Sequence, residues 1–135
     1  MKLTDFQLLT LSGEAVDTKA FQNKTVFINV WATWCRPCVQ EMPTIAMAME
    51  KLQGKDVIFL FASTEEVADI EEFRDRKKFP FDYVQLQNLE ALSIEALPAT
   101  FIFSPNGDLV FGEEGLRDWS TPGNLSLITQ NPIQP

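Results

Sequence analysis

Histidine is absent from all 135 residues, and cysteine occurs only at positions 35 and 38. The first absence removes the commonest general base and metal ligand, and two thiols cannot complete a tetrahedral zinc site unaided. Proton transfer is left to carboxylates, and a metal carrier would need ligands from a partner. Positive charge is scarce too: 11 Lys and Arg stand against 19 Asp and Glu, a net charge of -8 with a pI near 4.4. That balance argues against nucleic acid or an anionic membrane as a partner. No stretch approaches the roughly 20 apolar residues of a membrane span, so no membrane insertion is expected of this chain. The opening MKLTDFQLLTLSG is interrupted by Asp5, Gln7 and Ser12 and lacks the apolar core of an export signal. A mature domain whose signal had been removed would read the same way, which leaves the compartment open. Repeats and low-complexity linkers are also missing. A chain of this length with 45% hydrophobic residues is expected to bury one core, as a single domain over 1–135.

The two cysteines lie in the run Val30-Trp31-Ala32-Thr33-Trp34-Cys35-Arg36-Pro37-Cys38. Ahead of them, Thr25 to Trp31 is β-branched and aromatic without a breaker, the pattern of a strand buried on both faces. After Pro37 the spacing turns helical, with Met42, Ile45, Ala46, Met49 and Leu52 on one stripe. The thiols thus fall at a strand-to-helix junction, with Cys35 near the N-cap, Pro37 where no amide donor is needed, and Cys38 in the first turn. Residues three apart on a helix are neighbours, close enough for a disulfide to open and close without moving the fold. Helix-start amides and the adjacent Arg36 favour a thiolate at Cys35, and Cys38 is the natural resolving thiol. The competing readings are a pair of core thiols or half of a metal site. Trp34 reads equally as packing or as contact surface, Trp31 as core, and Met42, Met47 and Met49 as core filling or helix surface.

Along the chain, residues 6–21 suggest a small hairpin around Ser12-Gly13-Glu14. The helix after Cys35 spans about 36–53, with Pro43 as an interior irregularity and Gly54 at its end. Val57 to Ala62 is a second buried strand. Ser63 and Glu66 have capping-box spacing for a helix carrying Val67, Ile70 and Phe73 on one face. Phe81 to Leu86 reads as a strand, and 88–97 as a loop or short helix. Residues 99–103 and 109–111 form an antiparallel hairpin across Ser104-Pro105-Asn106-Gly107-Asp108, and a last helix spans about 120–130 with Pro132 beyond it. Two buried strands joined through a helix imply a right-handed βαβ unit.

Trp34-Cys35-Arg36-Pro37-Cys38 at such a turn, with Leu97-Pro98-Ala99-Thr100 before a late strand, resembles the thioredoxin superfamily. FINVWATWCRPCVQEMP and LPATFIFSPNGDLV are most similar to its TlpA/ResA-like thiol-disulfide oxidoreductases, typically exported (periplasmic) or membrane-tethered in bacteria. The resemblance implies a thioredoxin-like α/β fold, a central mixed sheet flanked by helices, here with an N-terminal β-hairpin extension. It makes Cys35 the attacking thiol and Cys38 the resolving one, with Trp34, Arg36 and Pro37 around them. Pro98 becomes a cis-proline facing the disulfide, and the backbone of Leu97 a partner for an extended substrate segment. Glu41 matches the acid this subfamily carries near the thiols. Asn29 stands where thioredoxin has a buried aspartate, which leaves Glu41 to move a proton to or from Cys38. The expected activity is dithiol-disulfide exchange, with no cofactor, by a monomer. Its partners would be cysteine-containing protein substrates and an upstream thiol electron donor, and its role that of a reductase of exported proteins. The alternative is a redox-inactive module that grips an extended peptide against Pro98 and keeps the cysteines as a structural staple.

Overall fold

The computed structural model describes residues 1–130. Six strands form one sheet: β1 (Leu8–Thr10), β2 (Thr25–Val30), β3 (Val57–Ser63), β4 (Asp82–Leu86), β5 (Ala99–Phe103) and β6 (Leu109–Glu114), in the order β1-β4-β3-β2-β5-β6. β2, β3 and β4 run parallel, and the remaining pairings are antiparallel. The helices are α1 (Arg36–Lys51), α2 (Val67–Lys77) and α3 (Pro122–Thr129). This is the thioredoxin-like α/β arrangement.

β2 is buried at every position, as a central strand covered on both faces must be, and Thr25 and Asn29 are its only polar side chains. Strand alternation divides its side chains between two cores. Phe27 and Trp31 pack with Met42, Ile45, Ile70, Phe73, Trp119 and Ile128, whereas Val26, Ile28 and Val30 pack with Phe6, Leu60, Phe101 and Phe103. Residues of all three helices enter the first core. Both parallel crossovers step the same way across the sheet, so right-handed connections put α1 and α2 on one face. The other face is covered by the N-terminal segment and by the 3-10 turn Leu89–Leu92, which occupies the short stretch before Pro98.

The N-terminal hairpin is a tight turn in which Val16 N–H donates to Leu8 and Leu9 bridges Ala15, while β1 gives its other edge to β4. One expectation is corrected. Ser63 does not open a helix: it ends β3, and the following helix is capped by Glu66, whose side chain makes no capping bond. The Ser63 hydroxyl bonds instead to Glu65, two residues on, a local option that competes with capping for Ser and Thr. Gly54 does adopt positive φ, at 85°, just after α1. Pro132 lies outside the described residues.

Candidate active site

Cys35 is the N-cap of α1 and is joined to Cys38 by a disulfide, with Cα atoms 5.3 Å apart. The Cys38 backbone N–H donates to Cys35 Sγ at 3.3 Å, so an amide that a helix start leaves unpaired points at this sulfur. Pro37 occupies the first turn, where its missing donor costs nothing. Cys35 is 5% exposed and Cys38 fully buried, while the neighbouring Trp34 is 75% exposed. Arg36 is also exposed. Of the two cysteines, Cys35 alone retains any solvent exposure.

One turn beyond Cys38, Glu41 falls on the buried stripe of α1 and is wholly inaccessible. Its Oε1 accepts from Asn29 Nδ2 at 3.0 Å, and its Oε2 from Arg117 N–H at 2.9 Å and Trp119 Nε1–H at 3.2 Å. Burial pushes this carboxyl above the ordinary glutamate value of 4.5, against the opposing pull of those three donors and the nearby Arg117 charge. Strand register explains the pocket. Asn29 lies opposite Thr100, both point to the α1 side of the sheet, and Asn29 Nδ2 also donates to Thr100 Oγ1 at 3.0 Å. Trp119 closes the pocket, its indole edge-on to Phe27 and Phe111 at 5.0 and 5.5 Å.

Leu97-Pro98 is a cis peptide. Val30 pairs with Ala99, so the antiparallel register brings Pro98 to the sheet end from which Trp31 leads into the cysteine turn. The Pro98 carbonyl accepts from Gly115 N–H at 2.7 Å, and Glu95 N–H donates to the Glu114 carboxylate, which ties this loop to β6. The cysteine turn has its own clamp. The Glu65 carboxylate accepts from Thr33 N–H at 2.8 Å, from the Thr33 hydroxyl at 2.5 Å and from the Ser63 hydroxyl at 2.8 Å.

Comparison with known proteins places this geometry. Residues 1–111 match the AhpC/TSA family. The chain belongs to that family. The chain is 33% identical over 110 residues to thiol-disulfide oxidoreductase ResA of Geobacillus kaustophilus, covering 78% of this chain and 63% of that protein. It is 30% identical over 111 residues to ResA of Bacillus subtilis, with 78% and 62% covered. The chain thus spans somewhat less than two thirds of these relatives. Solved structures share the fold. A thioredoxin-family thiol:disulfide interchange protein of Chlorobium tepidum superposes with TM-score 0.74 at 16% identity, over 90% of this chain and 89% of that one. A secreted disulfide oxidoreductase of Mycobacterium tuberculosis gives 0.70 at 19%, over 90% and 95%.

In this family member the structure joins Cys35 to Cys38, sets Glu41 one turn beneath them, and brings Pro98 to the same end of the sheet. It leaves Trp34 and Arg36 facing outward. Sequence reasoning passes over Glu65, Thr100, Arg117 and Trp119. A polar residue opposite Asn29 was the available signal for Thr100, whereas Glu65 and the 115–120 segment meet the site only through tertiary contacts.

Two expectations follow. Glu65→Ala strips the Thr33 amide and hydroxyl of their acceptor, which should cost about 1–3 kcal/mol in urea denaturation and speed hydrogen exchange at the Thr33 amide. Unchanged exchange there would show that Glu65 does not hold the turn. For Glu41, the folded state binds the proton more tightly than the unfolded chain. Its contribution to stability is therefore fully present below the unfolded value of 4.5 and lost as the pH rises through the folded midpoint. Wild-type stability relative to Glu41→Gln should fall over that interval, and a difference that grows with pH contradicts the raised value.

Proposed function

We propose that this protein is a thiol-disulfide oxidoreductase that exchanges electrons with protein disulfides through Cys35 and Cys38. The observation that carries the reading is the asymmetry of the pair at one helix start: Cys35 at the surface edge with an amide directed at its sulfur, and Cys38 sealed behind it. Negative charge on Cys35 is stabilised by that amide and by the positive end of α1.

In the reducing direction, the Cys35 thiolate attacks one sulfur of a substrate disulfide. The substrate S–S bond breaks, a Cys35–substrate mixed disulfide forms, and the first substrate thiolate leaves and takes up a proton. Cys38 then loses its proton, attacks Cys35 Sγ and expels the second substrate thiolate. The protein ends oxidised, the substrate has gained two electrons, and an upstream thiol donor must restore the dithiol. Glu41 is the proposed acceptor of the Cys38 proton. It lies at i+3 on the same helix, and a carboxyl whose proton affinity burial raises above the ordinary glutamate value is suited to taking up a proton. Trp34, Arg36, Pro37, Leu97 and Pro98 are the proposed substrate contacts around the thiols.

The finer role we assign is reduction of exported proteins, in an extracytoplasmic compartment. It is supported by the likeness to ResA and by the secreted mycobacterial fold neighbour. Related pairs span roughly -270 mV for thioredoxin to about -120 mV for DsbA, so equilibration with glutathione tests the direction. A value near the thioredoxin end fits a reductase, and one near the DsbA end reverses the assignment. The activity itself is tested by reduction of a disulfide-bonded protein with dithiothreitol as donor. Acceleration that requires both cysteines is expected, and no acceleration over dithiothreitol alone sinks the proposal. Trp34→Ala should change stability by less than about 0.5 kcal/mol, because the side chain is exposed, while raising KM for a folded protein substrate. An unaltered KM would remove Trp34 from the docking surface.

A further inference from the structure

The Asn29 carboxamide is used on one side only. Its nitrogen donates to Glu41 Oε1 and to Thr100 Oγ1, while its buried oxygen has no hydrogen-bond partner among the described residues. A buried amide oxygen left without a donor costs free energy, and this one adjoins the single buried carboxyl of α1. The other carboxylate oxygen is committed: Arg117 N–H and Trp119 Nε1–H are both obligate donors, so Oε2 can only accept. A proton arriving at Glu41 is thereby directed to Oε1, the oxygen facing Asn29. There it would meet another donor, Nδ2, unless the amide turned.

We infer that Asn29 is a positioning residue that follows the Glu41 proton. Its carboxamide presents Nδ2 to the ionised carboxylate, and rotates by half a turn about χ2 to present Oδ1 when Oε1 carries a proton. The amide oxygen and nitrogen are nearly the same size, so the rotation needs no repacking. Thr100 accommodates both states, because its hydroxyl accepts from Nδ2 in one and donates to Oδ1 in the other. Glu41, Asn29 and Thr100 thus keep equal numbers of mutual hydrogen bonds whether or not the proton is present. An aspartate at position 29 could not do this, since when ionised it only accepts and would set a second negative charge beside the first.

The groups facing Glu41 come from each packed element. β2 and β5 supply Asn29 and Thr100. On α1, Cys38 stands one turn earlier, and Thr44 donates to the Glu41 backbone carbonyl at 2.7 Å. The segment after β6 supplies Trp119 and Arg117, whose guanidinium is held by Glu113 and Asn124, both at 2.8 Å. Arg117 favours the anion, and burial favours the acid. Asn29 serves either.

The inference rests on Glu41 taking up a proton in the proposed reaction, but its test needs no turnover. In the oxidised protein, NMR of labelled Glu41 carboxyl carbon and of the Asn29 side-chain amide is followed as the pH is lowered. The Asn29 amide protons, hydrogen-bonded at high pH, should move upfield with the same midpoint as the Glu41 carbon. Glu41→Gln supplies a second measurement. Arg117 and Trp119 require an oxygen in the Oε2 place, so the NH2 of the introduced carboxamide must face Asn29 and hold its amide in the turned state. The Asn29 signals of Glu41→Gln at neutral pH should therefore match those of the wild type at low pH. Glu41 protonation without movement of the Asn29 signals, no Glu41 titration in the folded protein, or a Glu41→Gln spectrum like neutral wild type would each overturn it. Should that variant fail to fold, the wild-type titration decides. An amide that turns in a protein that reduces no disulfide would sink the proposed function and leave this inference standing.

Discussion

In the Cys35→Ser protein, reduction of a disulfide-bonded substrate should fall by on the order of 10^3-fold or more, because the proposed nucleophile is gone and the remaining thiol, Cys38, is fully buried. Cys38→Ser should behave differently. Its Cys35 still attacks, but nothing resolves the product, and a covalent Cys35–substrate disulfide should accumulate in nearly stoichiometric amount. The argument is one of access. Cys38 is fully buried beneath Cys35, so it can attack only the Cys35 sulfur itself, whereas Cys35 can meet an external disulfide. Mass spectrometry of non-reduced complexes checks both variants. Equal trapping by Cys35→Ser and Cys38→Ser would show that the two sulfurs do not have separate roles.

The second large effect concerns stability. Glu41→Ala should destabilise the oxidised protein by about 3 kcal/mol or more, since it leaves the Asn29 amide, the Arg117 N–H and the Trp119 indole N–H buried without their acceptor, at about 1–3 kcal/mol for each unsatisfied group, and opens a cavity besides. The contributions overlap, because all three donors converge on one carboxylate. Glu41→Gln should lose much less: its amide oxygen keeps Arg117 and Trp119, and its NH2 needs only that Asn29 turn. Urea midpoints of the two variants test the ordering. A Glu41→Ala midpoint equal to wild type would show that the Glu41 carboxylate does not hold the pocket, and equal losses for Ala and Gln would mean that its negative charge, not its hydrogen bonding, does so.

Much of the fold could be read from particular residues. The unbroken run Thr25 to Val30 marks a strand covered on both faces, and β2 is the centre of the sheet with β3 and β5 at its sides. Cys35 and Pro37 mark a helix start by backbone chemistry alone, and the structure puts Cys35 at the N-cap. Glu41 was half legible. Its place on the stripe of Cys38, Met42 and Ile45 signals burial, but the three donors that make burial tolerable come from residues 29, 117 and 119, far apart in sequence. Capping-box spacing at Ser63 and Glu66 misled because a serine at a strand end can bond the next acid as readily as a helix amide, and Glu65 offered that acid. Glu65 itself was silent in the sequence, since only the β2–β3 pairing brings it beside Thr33.

The division of labour between the two sulfurs is tested most directly by limited alkylation of the fully reduced protein with iodoacetamide near neutral pH, with the modified peptide mapped by mass spectrometry. Cys35 should be labelled at least about tenfold faster than Cys38, because it alone combines access to solvent with an amide directed at its sulfur. Slow labelling of both thiols at the same rate, or preferential labelling of Cys38, would contradict the assignment of Cys35 as the attacking sulfur.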